Sequence, residues 1–235
     1  MHYEKWQIKN TIEKFYSSLT SENKKDYLTL FSDLQIQIEG WFRGELMNYL
    51  KNEKLEMTVS SREIRVNNEK RKKVDLRVKI NNEFYLIELK HILVGCQLNN
   101  TYPLGFYFYK NSYIYNDIEK LQEVDNSDKQ QHRYSLAFIS TNYSCDKCKN
   151  QNFKKINSKK DLKDQYEAVK EKKTDIEQNV SSVSYDYDYI THFGYLLLEV
   201  KINNENVKVR RENRSYSILG DLRHVIDILL NYSNS

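Results

Sequence analysis

The sequence predicts an α/β protein, a central mixed β-sheet flanked by helices, and three observations predict it. Apolar residues recur at three and four over the first fifty positions, short segments of alternating character follow between 60 and 92, and a helical stretch then precedes a buried apolar run at 133–141. Helical spacing giving way to strand alternation, and then returning, sets the element order α, β, β, β, α, β.

The bulk composition suits one folded domain over residues 1–235. With 39% apolar and 30% charged residues, six Gly and one Pro, the chain can bury a core and is neither fibrous nor disordered in character. No apolar run approaches the roughly 20 residues of a membrane helix. The start, MHYEKWQIKN, carries charge where a signal peptide needs an apolar stretch, so a cytoplasmic protein with no membrane partner is expected. Three cysteines are too few, and too odd in number, for a disulfide framework. A net charge of +4 permits a polyanionic partner without requiring one.

Taken in order, Trp6, Ile8, Ile12, Phe15 and Leu19 mark a first helix, and Leu30, Phe31, Leu34, Ile38, Phe42, Leu46 and Leu50 a second from Tyr27 to Leu50. Ser21 is an acceptable N-cap between them. The segments SREIRV, ending at Val66, KVDLRVKI (73–80) and EFYLIELKHI (83–92) read as an antiparallel run, with Asn81-Asn82 as the tight turn between the last two. TYPLGFYFYK follows, then the helix IYNDIEKLQEV and the buried strand RYSLAFIST. Residues 142–163, Lys-, Asn- and Ser-rich around CDKC, read as a loop; 161–180 reads as a polar helix. YLLLEVKI (195–202) and VKVRRE (207–212) read as a hairpin, and LGDLRHVIDILLNY as a terminal amphipathic helix.

The middle strands raise a chemical question, because Asp75, Glu88 and Lys90 stand among residues that should be buried. Side chains alternate along a strand, so Glu88 and Lys90 share a face with Phe84 and Leu86, while Ile87 and Leu89 point to the core opposite. A hairpin turning at Asn81-Asn82 sets Asp75 beside Glu88. Two adjacent carboxylates near an apolar core repel and need a compensating cation. Mg²⁺ or Mn²⁺ takes one or two carboxylates together with water and phosphate oxygens, and a neighbouring Lys can orient water or stabilise developing charge.

Asp75 followed across a short hairpin by Glu88-Leu89-Lys90 resembles the active-site signature of the PD-(D/E)XK nuclease superfamily, the restriction-endonuclease-like fold. The resemblance covers roughly residues 36–141, with 142–235 as a C-terminal extension. It implies an αβββαβ core, metal-dependent phosphodiester hydrolysis by an endonuclease, and a nucleic-acid partner, DNA before RNA. It implies Asp75 and Glu88 as ligands of Mg²⁺ or Mn²⁺, Lys90 as the charge-stabilising or water-positioning group, and a further carboxylate from the preceding helix. Glu45 takes that role by the resemblance, and Glu39, on the stripe of Phe42, Leu46 and Leu50, competes for it. Val74 stands where the family's name has proline. Many members act as dimers, although the residues fix no stoichiometry. A ribonuclease using the same site, and an inactive binding module on the same fold, are the alternatives.

Other candidates compete with this site. Glu199-Val200-Lys201, with Asp186 and Asp188 upstream, repeats the acid-x-Lys triplet but lacks a following helix and strand. Asp117 and Lys120, on the helix after the triplet, could flank the site, and His91 points away from Lys90 as a core histidine. Cys145 and Cys148 read as loop thiols; a zinc site would need two more ligands from Cys96, His91 or His132. The basic runs EKRKK (69–73), NFKKINSKK (152–160) and KVRRENR (208–214) could track phosphates.

Overall fold

The computed structural model of the chain describes residues 7–34, 38–52, 58–66, 70–80, 83–97, 100–124, 131–150 and 153–202. The chain divides into two units, Met1–Lys201 and Ile202–Ser235, and apart from Ile202 the described residues belong to the first. The expected strand at 207–212 and the terminal helix lie outside them, as does the basic run at 208–214.

The first unit is α/β: a mixed, open sheet flanked by helices, six strands in its main order and a short seventh paired to one of them. Three helices open it, α1 (Ile8–Leu19), α2 (Glu22–Leu34) and α3 (Glu39–Asn52). The single helix expected from Tyr27 to Leu50 is thus two. Leu34, Ile36 and Ile38 alternate with Gln and so present no continuous helical stripe, which accounts for the interruption. Strands β1 (Thr58–Val66), β2 (Lys70–Ile80) and β3 (Glu83–Gln97) run antiparallel in succession. A short β4 (Asn100–Tyr102) pairs with the far end of β3, and a 3-10 turn (Leu104–Phe108) leads into α4 (Tyr113–Glu123). Strand β5 (Gln131–Asn142) then lies parallel to β3.

Beyond β5 the chain departs from the expected layout. The loop at 142–163 holds a short helix, α5 (Asp146–Asn150), and the polar helix is broken into α6 (Lys159–Lys172) and α7 (Thr174–Asn179) at Lys173, whose φ of −130° leaves the helical region. Strand β6 (Val180–Asp188), which sequence reading did not single out, forms the hairpin with β7 (Phe193–Val200). β7 is hydrogen-bonded to β5 on its other side, giving the order β1-β2-β3-β5-β7-β6. Among the described residues no helix is long and apolar enough to cross a membrane.

The sheet separates two cores. One face of β3, β5 and β7 carries Tyr85, Ile87, Leu89, Tyr134, Leu136, Phe138, Phe193 and Tyr195 against α1, α2 and α3. The other carries Leu86, Ile92, Ala137, Ile139, Leu196 and Leu198 against α4, α6 and α7. The Phe42 ring stacks on Phe138 and Phe193, with centroids 4.1 and 5.0 Å away, and so locks α3 to the sheet. Ile87 and Leu89 are core, as the alternation predicts.

Strand β2 carries one irregularity. Ser60 pairs with Arg77 but Arg62 pairs with Val74, so β2 spends three steps where β1 spends two. That is a β-bulge at Asp75-Leu76. It reverses the alternation: Val74 lies in the core with Leu86, whereas Leu76, Val78 and Ile80 lie in the opposite core.

Candidate active site

The bulge ends the pairing of β2 with β3. Their ladder runs from Ile80↔Glu83 to Leu76↔Ile87, and beyond it the strands part. The amide of Leu89, next in line on β3, would be left without a partner. Instead it donates to Asp75 Oδ2 at 2.9 Å. The carboxylate therefore sits in the fork because a buried N–H needs an acceptor there.

Glu88 and Lys90, on the α4 side of β3, flank this point. Glu88 is 1% exposed, and Lys120 Nζ, from α4, stands 2.7 Å from its Oε1. Lys90 Nζ lies between two acids, 3.7 Å from Glu39 Oε2 and 3.8 Å from Asp117 Oδ1. Arg43, one helical turn after Glu39, reaches Asp75 Oδ1 at 3.7 Å. Four carboxylates from α3, β2, β3 and α4 thus interleave with three cations.

Burial governs how these groups titrate. It pushes Glu88 up to about 8, with Asp75 and Asp117 adding to the rise and Lys120 opposing it. It pushes Asp117 up to about 7, against the pull of Lys90 and Lys120. For Lys90 burial acts downward, yet Asp117, Glu39, Asp75 and Glu88 together outweigh it and hold the ammonium above its usual range. The lysine stays charged while two acids hold protons close to neutrality. A divalent cation that replaced those protons would let both acids ionise.

Two buried oxygens reinforce this. Asp117 Oδ2 and Ser135 Oγ have no hydrogen-bond partner among the described residues, and Ser135 is the residue of β5 paired with Glu88. Hard oxygen donors of this kind match the chemistry of Mg²⁺ or Mn²⁺. The acids do not form a set of three whose ligating atoms all lie within 4.8 Å of one another. Mg²⁺ takes as few as one or two carboxylates from a protein, with solvent or phosphate oxygens in its other positions.

The two glutamates of α3 have different neighbours. Glu39 reaches Lys90; Glu45 instead makes a short ion pair with Lys24 of α2 and lines a pocket with Phe15, Asn48 and Tyr49. Glu39 is brought to the fork by His91. Burial holds this imidazole near a pKa of about 4, and its Nδ1 accepts from the Ile38 amide at 3.2 Å while Nε2 pairs with Ser140 Oγ at 2.9 Å. The start of α3 is thereby tied to the strand that carries Glu88 and Lys90.

The remaining candidates have local roles. Glu199 accepts from Ser182 Oγ at 2.7 Å, Asp186 pairs with Lys159, and Asp188 caps the turn into Thr191, so the second triplet gathers no acids around it among the described residues. His132 stacks on Tyr85. Cys145 is not a loop thiol: it is bonded to Cys96, and Cys148 is buried beside them. Sequence reading missed Arg43 and Ser135. The spacing of Arg43 four residues after Glu39 is the one signal that could have found it.

No protein-family model matches the chain, and comparisons with curated proteins and with solved structures likewise found no match.

Proposed function

We propose that the protein is a metal-dependent nuclease of the PD-(D/E)XK type, with Asp75 and Glu88 as the metal carboxylates and Lys90 as the cation of the reaction. The observation that carries this reading is the convergence of Asp75, Glu88 and Lys90 on the fork between β2 and β3. Support comes also from the succession α3, β1, β2, β3, α4, β5, which follows the order that the resemblance implies.

In this reading a bound Mg²⁺ or Mn²⁺ would polarise a phosphoryl oxygen and lower the pKa of water. Lys90, kept protonated by the acids around it, donates to the phosphoryl oxygens as negative charge builds on them. Asp117 and Glu39 fix the position of its Nζ. Asp75 stays oriented through the Leu89 amide. DNA is the expected substrate, with RNA as the alternative at the same site. A homodimer remains the family's expectation for assembly.

A second reading, a binding module without catalysis, is favoured by the ion pair of Lys120 with Glu88, in which the protein supplies its own compensating cation.

The test is cleavage of supercoiled plasmid and of RNA with Mg²⁺, Mn²⁺ or EDTA, by wild type and by Asp75→Asn, Glu88→Gln and Lys90→Met. Metal-dependent cleavage that falls by about 100-fold or more in each variant supports the reading. Intact DNA and RNA under every condition would leave the binding module as the better account.

A further inference from the structure

All three cysteines of the chain meet at one point, although they come from two segments far apart in sequence. Cys96 lies near the end of β3, and Cys145 and Cys148 lie at the start of α5. Their three sulfurs lie within 4.8 Å of one another, with Cys148 Sγ 3.0 Å from Cys96 Sγ. A disulfide joins Cys96 and Cys145. Two cysteines suffice for that bond, so it gives no reason for a third, fully buried thiol against it.

We propose that Cys96, Cys145 and Cys148 are the three protein ligands of a zinc site, whose fourth position is left to water or an exogenous ligand. The disulfide is the oxidised form of the same trio. Opening it takes two electrons and two protons from a dithiol reductant, which itself becomes a disulfide, and zinc then displaces the protons of the three thiols.

The surroundings are those of a thiolate centre. The spacing C-x-x-C is that of zinc-binding turns, and here the Cys148 and Lys149 amides both donate to Cys145 O, folding the two sulfurs to one side. The Cys145 amide donates to Cys96 Sγ at 3.1 Å, an outer-shell contact that offsets charge on sulfur. Lys155 stands close enough to Cys148 to act on its charge. A cation beside the trio suits three thiolates, whose charge one Zn²⁺ does not fully cancel.

The backbone is shaped to make the meeting. Gly95 has φ +108°, and a Cβ there would meet Asn142 O at 1.9 Å, so only glycine lets the end of β3 pass this close to the end of β5. That approach sets Cys96 against Cys145. An iron–sulfur cluster is less suited, since those clusters take four cysteines and the chain has three. No fourth His, Cys, Asp or Glu joins the group among the described residues, which leaves the last position open. This site is separate from the acids at the fork and does not depend on the nuclease reading.

The full chain, purified under a dithiol reductant, should contain about one zinc per molecule by elemental analysis. Each of Cys96→Ser, Cys145→Ser and Cys148→Ser should lower zinc affinity by about 10-fold or more. Should a serine variant fail to fold, wild-type protein stripped by a chelator gives the same answer. Refilled with Co²⁺, it should show sulfur-to-cobalt charge-transfer absorption and the visible bands of a tetrahedral ion. Reduced wild type with three titratable thiols that takes up neither Zn²⁺ nor Co²⁺ would overturn the proposal. So would a Cys96–Cys145 bond that survives reduction in the folded protein, seen as an unchanged intact mass.

Discussion

Glu39 and Glu45 lie six residues apart on one helix, and only Glu39 approaches Lys90. Glu39→Ala should therefore reduce metal-dependent cleavage by about 10-fold, while Glu45→Ala leaves it unchanged; equal losses would restore Glu45 to the site. The buried acids make a second prediction. Carboxyls whose folded pKa is raised, to about 8 for Glu88 and about 7 for Asp117, favour folding below their unfolded values, and that contribution is lost as pH rises toward the folded ones. His91 slopes the other way: held neutral, it contributes stability that is lost as pH falls from about 6.5 to its folded value. The acids therefore act alone between about pH 6.5 and 8. Thermal melts in EDTA should show stability declining across that window, and Glu88→Gln should flatten the decline. A melting temperature constant from about pH 6.5 to 8 would mean that the acids are ionised when folded.

Helix α4 carries Asp117 and Lys120, and it is fastened at its C-terminus by a buried arginine. Arg133, on β5, donates to the carbonyls of Leu121 at 2.7 Å, Gln122 at 3.3 Å and Val124 at 3.0 Å. These carbonyls lack helical partners, and a buried cation at that end also opposes the helix dipole. Arg133→Met should cost about 3 kcal/mol or more, read as a fall in denaturant midpoint, and should lower cleavage through the displaced lysine. A stable variant would show that Ile114, Ile118 and Leu121 hold α4 without it. Sequence reading found α4 by its apolar spacing, and β2, β3 and β5 by theirs. It missed β6, where VSSVSYDYD carries its alternation in Ser, Tyr and Asp rather than in aliphatic residues. The bulge was equally hidden, since a two-versus-one pairing is a property of two strands and cannot be read along one.

Across the molecule, the sheet keeps the acids and the cysteines at separate places along one strand. Asp75, Glu88 and Lys90 were legible because charge inside an apolar alternation is conspicuous. The meeting of Cys96 with Cys145 and Cys148 was not, because it depends on the parallel register of β3 and β5. The parting of β2 from β3 has a further consequence. Between Ile87, where the pairing with β2 ends, and Gly95, where β4 begins, the side of β3 away from β5 has no strand beside it among the described residues. An interior strand thus becomes an edge, and edges invite strand addition from another molecule. Two side chains plug it: Asp75 at the Leu89 amide, and the Tyr107 hydroxyl, in a short hydrogen bond, at the Leu93 carbonyl. Asp75→Ala should therefore promote self-association, visible in light scattering, whereas Asp75→Asn, which retains an acceptor, should stay monodisperse. The same carboxylate that faces the fork would then also keep the protein from polymerising.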